Sequence, residues 1–310
     1  MTLRMEKRIT NNMKIEAIRP EFNEIIDPRS EIETIADGFA FTEGPLWHKD
    51  ERMLLFSDIP SNRIYAWRAG EKARPFRDPS HFSNGLTFDR SGRLIACEHK
   101  SRAITSQDLK SGEVVTLAAD YQGKRLNSPN DVISAPDGSI IFTDPIYGLR
   151  RGMGGPAEQE LDFEGLYRIP PDGGALQLLS SHFERPNGLA LSPAGDFLYV
   201  ADTVRQHIRA FRVTPDWQLN GGQVWAELWD DDLTGRPDGM KVDESGRVFS
   251  TGPGGVWVFD AQANLLGRVY LPEKTSNLAW GEDGRSLFIT CSSAVFRLRC
   301  LTRGRAPLDD

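Results

Sequence analysis

With 310 residues, 39 % of them hydrophobic and 26 % charged, the chain can bury a sizeable core as one large domain or two. Its formal net charge of −7 comes from acidic and basic residues mixed along the whole length, with no Lys/Arg run, which argues against nucleic acid as a partner. No apolar run approaches the roughly 18–20 residues of a membrane span. The cysteines Cys97, Cys291 and Cys300 suggest neither a disulfide framework nor a cysteine metal site, so a reducing cytoplasm is the expected location.

The opening stretch, MTLRMEKRITNNMK, is too charged for the apolar core of a signal peptide. Residues 1–15 read as a loosely attached arm on a single domain spanning 16–310. IETIADGF at 32–39 is a strand-like run, and six segments of one grammar follow it: a polar residue, an apolar run, a turn marked by Gly, and a second apolar run. They begin at Glu43 (EGPLWHKDERMLLFSD), Asn84 (NGLTFDRSGRLIACE), Asn130 (NDVISAPDGSIIFTD), Asn187 (NGLALSPAGDFLYVAD), Asp238 (DGMKVDESGRVFSTG) and Ser276 (SNLAWGEDGRSLFIT). In all but the first, a Gly (92, 138, 195, 246, 284) falls eight residues after the opening residue. Each unit predicts two strands joined by a tight turn, and further strands follow, such as RIYAW (63–67), HIRAFRV (207–213) and VWVFD (256–260). Helix signals are almost absent.

Several strands per unit, repeating every ~40–50 residues, predict an all-β, six-bladed β-propeller; a sandwich needs no such repeat and a β-helix has shorter coils. Pairing IETIADGF with AVFRLRCL (294–301) would close the ring and remove exposed strand edges.

In a propeller the first strand of every blade lines the central channel. Glu43, Asn84, Asn130, Asn187, Asp238 and Ser276 are therefore expected to converge on one axis. Asn-Gly and Asp-Gly are also ordinary turn dipeptides, but these stand before the strand rather than at the hairpin tip. Converging carboxylates and amides are costly unless something satisfies them, and such oxygens suit a hard cation: a central metal site in which Glu43 and Asp238 balance a divalent charge. A second set, Asp58, Glu98, Asp144, Asp202, Thr251 and Cys291, ends the second strands and returns to the same face. Asp144 and Glu98 are candidates for supporting or additional ligands, and Asp58 and Asp202 for loop caps. The insertion GLRRGMGGPAEQELDF (148–163) leaves from the Asp144 end, either as a wall or lid for substrate or as a surface loop without such contact. His99, beside Glu98, is either a substrate contact or a structural hydrogen-bonding residue.

FTEGPLWH (41–48), RLNSPNDV (125–132), FTDP (142–145), RPNGLALSP (185–193) and RPDGM (236–240), in that order, resemble the senescence-marker-protein/gluconolactonase family, and CEHKSR (97–102) resembles its bacterial gluconolactonase branch. The resemblance covers roughly residues 35–300. It implies a six-bladed propeller holding one divalent cation at the channel mouth, Ca2+ in first place with Zn2+, Mg2+ or Mn2+ as alternatives, and hydrolysis of a sugar lactone. By motif, the metal ligands would be Glu43, Asn187 and Asp238, with Asn130 touching metal or substrate and Asp238 as proton acceptor. Some family members carry Arg two residues before that Asn, where this chain has Ser128; a substrate contact would then come from Arg125 or Asn127.

Lactone hydrolysis passes through an oxyanion that a cation stabilises, while a separate base, Asp238, takes the proton of the attacking water. No GxSxG or HExxH motif offers another route. The competing expectations are a phosphotriesterase of the fluorophosphatase type on the same metal, and a non-catalytic propeller scaffold. Either a monomer or a homodimer is compatible with the chain.

Overall fold

The computed structural model describes residues 13–305. Six antiparallel sheets follow one another around a central channel. The first four are each formed by consecutive strands: Thr42–His48, Met53–Asp58, Arg63–Trp67 and Arg74–Arg77 in blade 1; Ser83–Phe88, Leu94–Glu98, Ala103–Gln107 and Val114–Ala118 in blade 2; Val132–Ser134, Ile140–Asp144, Glu164–Ile169 and Gln177–Phe183 in blade 3; Pro186–Leu191, Phe197–Asp202, His207–Val213 and Leu219–Glu227 in blade 4. Blade 5 runs Met240–Val242, Val248–Gly252, Gly255–Phe259 and Leu265–Tyr270, and blade 6 runs Thr275–Gly281, Ser286–Cys291 and Ala294–Arg299.

The ring closes as the sequence predicts. Ile32–Asp37 pairs with Ala294–Arg299 and becomes the outer strand of blade 6, so the last blade is held by both ends of the chain. Lys14–Ala17 then adds a fifth strand to blade 5, pairing Lys14 with Tyr270 and Ile15 with Val269. These two residues fall in the expected arm and are instead part of a sheet, and Met13 of that arm packs against the core; residues 1–12 lie outside the described residues. Charge in the segment hid the strand, because Lys14 and Glu16 pair with each other and Tyr270 donates to Glu16 while Ile15 packs inward. Between these strands a 3-10 turn, Pro20–Glu24, places Phe22, and then Ile25 and Ile26, in the core shared by blades 5 and 6. Phe22 is fully buried, so Phe22→Ala should cost about 3–5 kcal/mol, read from urea unfolding. A loss below 1 kcal/mol would show that this segment does not clamp the closure.

Inner strands are buried on both sides because each lies between neighbouring blades, so their apolar runs are continuous rather than alternating. Aromatic rings fill the wedge between blades: Trp47 stacks on Phe288 at 5.2 Å, and Trp280 meets Phe249 edge-on at 5.0 Å. At the axis, blade meets blade through backbone. Gly85 N–H donates to Asn130 O (2.8 Å), Gly188 N–H to Asp238 O (3.0 Å) and Gly239 N–H to Ser276 O (2.7 Å). A Cβ on Gly188 would lie 2.1 Å from Asp238 O, and one on Gly44 would lie 2.0 Å from Asn84 O. The glycine after the opening polar residue is therefore required by the neighbouring inner strand, not by a hairpin turn.

Candidate active site at the channel mouth

The opening residues of the inner strands gather at one end of the channel, each almost wholly buried. Glu43 Oε2 accepts from Gly44 N–H (2.7 Å) and from Asn277 Nδ2 (3.1 Å). Burial pushes its carboxyl well above the ordinary range, and the negative charges of Asp238 and Asp131 push the same way. Asp238 donates its backbone N–H to Thr251 Oγ1 (3.0 Å). Its carboxyl is pushed up to about 7, chiefly by burial and further by Asp131; the charge of Lys274 and a hydrogen bond from Asn187 oppose the rise. Asn187 Nδ2 donates to Thr203 Oγ1 (3.0 Å). Asn130 bonds through its backbone to Thr143 and Gly85, and its side chain has no hydrogen bond to a described residue. Asn84 Oδ1 is buried without a partner.

Two buried acids whose carboxyls are both pushed up, Glu43 partly by the charge of Asp238, with amide oxygens beside them, fit a divalent cation. Glu43, Asn130, Asn187 and Asp238 are the residues that would hold it, and their hard oxygens suit Ca2+. Among the described residues no group of three or more His, Cys, Asp or Glu side chains is disposed to hold a metal, so the amides are essential to this fit. A cavity of about 500 Å3 lies elsewhere: Leu46, Phe88, Val132, Leu189 and Trp280 line it at the hairpin end of the inner strands, and it holds none of these four residues.

Several expected residues have other tasks. Ser276 Oγ donates to Thr42 O (2.7 Å) and is satisfied by protein; Asn277, standing where four other units have Gly, reaches Glu43 instead. Asp144 is a loop cap rather than a ligand support: it accepts Asn127 N–H (2.7 Å), as Asp58 accepts Ala40 and Phe41, and Asp202 accepts Glu184 and Arg185. Three blades thus use one device to turn the chain into the inner strand. Burial pushes Asp144 up to about 8, and these backbone donors oppose it. Glu98 is taken by Arg77 (2.6 Å), Ser101 and Thr105. Asn127 is fully buried and donates to Asp144 O and Phe163 O, tying both ends of the insertion. Arg125 extends to Ser101 O (2.7 Å) from a two-stranded ribbon, Asp120–Tyr121 with Lys124–Arg125.

His99 is 1 % exposed, with Nδ1 2.7 Å from Met153 O and Nε2 3.4 Å from Asn84 Nδ2. The carbonyl requires a donor, so Nδ1 carries the proton and Nε2 is left to accept from Asn84. The ring thus links the insertion to the mouth, and Gly148 packs so closely on it that a Cβ would lie 2.6 Å away. Burial holds the imidazole down to about 4 from an ordinary 6.5. Between those values the unfolded chain binds a proton that the folded chain refuses. The stability this neutral ring secures is complete above about pH 6.5 and falls by up to ~3 kcal/mol as pH drops towards 4. Urea midpoints from pH 7 to 4.5 should show that fall in the wild type and a shallower one in His99→Gln; equal slopes would refute it.

Four residues escape the sequence reading. Tyr147 hydrogen-bonds with Thr203 and Asn187, and burial pushes its hydroxyl up to about 12. Lys274 lies over the Phe41 ring at 5.7 Å and its charge reaches Asp238. Asp131 and Asn277 meet across the channel at 3.3 Å. The last two carried a signal: four units follow the opening polar residue with Gly (44, 85, 188, 239), and only blades 3 and 6 break that rule.

The chain is 34 % identical to a gluconolactonase of Zymomonas mobilis, over 94 % of this chain and 87 % of that one. It is 27 % identical to a pentonolactonase of Haloferax volcanii, over 80 % of each. The solved structure of a Xanthomonas campestris gluconolactonase superposes with a TM-score of 0.87 at 37 % identity, covering 93 % of this chain and 95 % of that one. Residues 41–293 match the family model described as SMP-30/Gluconolactonase/LRE-like region, a span that includes all four candidate ligands. The chain belongs to the SMP-30/gluconolactonase/LRE-like family.

Proposed function

We propose that the protein hydrolyses a sugar lactone to the aldonic acid at the channel mouth. The observation that carries this is the convergence of Glu43, Asn130, Asn187 and Asp238, with the Asn130 side chain hydrogen-bonded to no described residue and two buried carboxyls both pushed above their ordinary range. The similarity to gluconolactonases and a pentonolactonase supports the same substrate class. When bound, a divalent cation supplies Lewis-acid polarisation of the lactone carbonyl. Asp238 takes a proton from the water that adds to the carbonyl carbon. As the ring C–O bond breaks, it returns that proton to the departing oxygen. Thr203 and Tyr147 hold the Asn187 amide from two sides, and Lys274 biases Asp238 towards its charged form.

The test is turnover of δ-gluconolactone and pentonolactones by chelator-stripped protein given Ca2+, Mg2+, Mn2+ or Zn2+. Diisopropyl fluorophosphate serves as the phosphotriesterase control. Hydrolysis of the phosphoester alone would displace the lactonase reading. Among the described residues no helix is long and apolar enough to cross a membrane. Three buried free thiols, Cys97, Cys291 and Cys300, support a reducing compartment as the site of action.

A further inference from the structure

The insertion brings a second cavity, about 280 Å3, against the mouth. Leu149 and Ala157 supply apolar wall, and Tyr147, Arg150, Gln159 and Arg185 supply the remainder that matters here. Tyr147 is the partition between cavity and ring. Its hydroxyl bonds with Asn187 and Thr203, while its aromatic ring carries two guanidiniums, Arg185 at 5.1 Å and Arg150 at 5.6 Å from the centroid.

The two arginines differ in what neutralises them. Arg185 is 2.9 Å from Glu164, a partly buried carboxylate that compensates its charge. Arg150 is exposed and forms no ion pair among the described residues, and its guanidinium lies over the Tyr147 ring beside the cavity it lines. An unpaired guanidinium can grip carboxylate or phosphate with two parallel hydrogen bonds. Tyr147 joins this cavity to the mouth, because it lines the one and interacts with Asn187 and Thr203 at the other.

We propose that this cavity is a subsite for an anionic substituent, carboxylate or phosphate, on the substrate lactone, and that Arg150 recognises it. The inference rests on the lactonase reading and narrows it to acidic sugar lactones. Neutral δ-gluconolactone, a glucarolactone and 6-phosphogluconolactone provide the three arms, assayed on the full chain with saturating cation. An acidic lactone should exceed the neutral one in kcat/KM by about 10–100-fold, the worth of a hydrogen bond between charged groups, mainly through KM. Arg150→Gln should bring that ratio close to one, Arg150→Lys should retain part of it, and added NaCl should narrow it. Comparison of the glucarolactone and phosphate arms identifies the anion. Hydrolysis of the neutral lactone with no acidic preference, or an equal loss on all three lactones in Arg150→Gln, would overturn the inference while leaving the lactonase standing. Hydrolysis of none would overturn the lactonase reading and the inference with it.

Discussion

Asp238→Asn is expected to lower kcat by about 10²–10⁴-fold while the cation stays bound, the usual worth of a general base. Asparagine keeps an amide oxygen for the cation and the backbone N–H bond to Thr251, but it cannot take a proton. The residue is 6 % exposed and lies beside Asn187, so the substitution should leave the surrounding packing intact. The measurement is kcat at saturating cation, with occupancy fixed independently by calorimetry. Near-normal turnover in a loaded Asp238→Asn enzyme would assign the base elsewhere, with Tyr147 and Lys274 the neighbours to examine next.

The second large effect concerns the cation. At a concentration about 100 times its Kd, a cation that binds only the folded protein adds ~2.7 kcal/mol of stability, and a chelator should remove that increment. Glu43→Gln is expected to abolish both the increment and the turnover. It removes the charge that, with Asp238, balances the ion, while Gln can still accept the Gly44 N–H bond. The increment should grow as pH rises, because both carboxyls are held above their ordinary range and must lose protons to bind. Melting temperatures with Ca2+ and with EDTA, in wild type and Glu43→Gln, provide the check. An unchanged wild-type transition would dismiss a tightly held ion.

Much of this arrangement is written locally. Phase alone marks Glu43, Asn84, Asn130, Asn187 and Asp238, since each opens a repeat at or just before the start of its first strand, and the same phase places them at one mouth. Ser276 fails because its hydroxyl is taken by protein, Thr42 O and Thr290 Oγ1, while the residue after it, Asn277 where four other units have Gly, reaches Glu43 across the ring closure. Register suggests Asp144 as a support for the chemistry, and the resemblance offers Asn127 as a substrate contact where this chain has Ser128. The structure shows the register serving a different need, which is to satisfy backbone N–H groups where the chain turns inward.

The sequence by itself determined the number of blades, the closing strand and the polar residues at the mouth. Each of these depends on a periodicity, and periodicity is visible along the chain. Only the tertiary structure decided that Tyr147 supports Asn187, that Asn277 braces Glu43, that His99 anchors the insertion, and that Lys274 reaches Asp238. The Asn277–Glu43 pair, 234 residues apart, exists because closing the ring brings the first and last blades side by side. The other contacts join neighbouring blades and the insertion, and they depend on how those blades pack rather than on the period of any one strand.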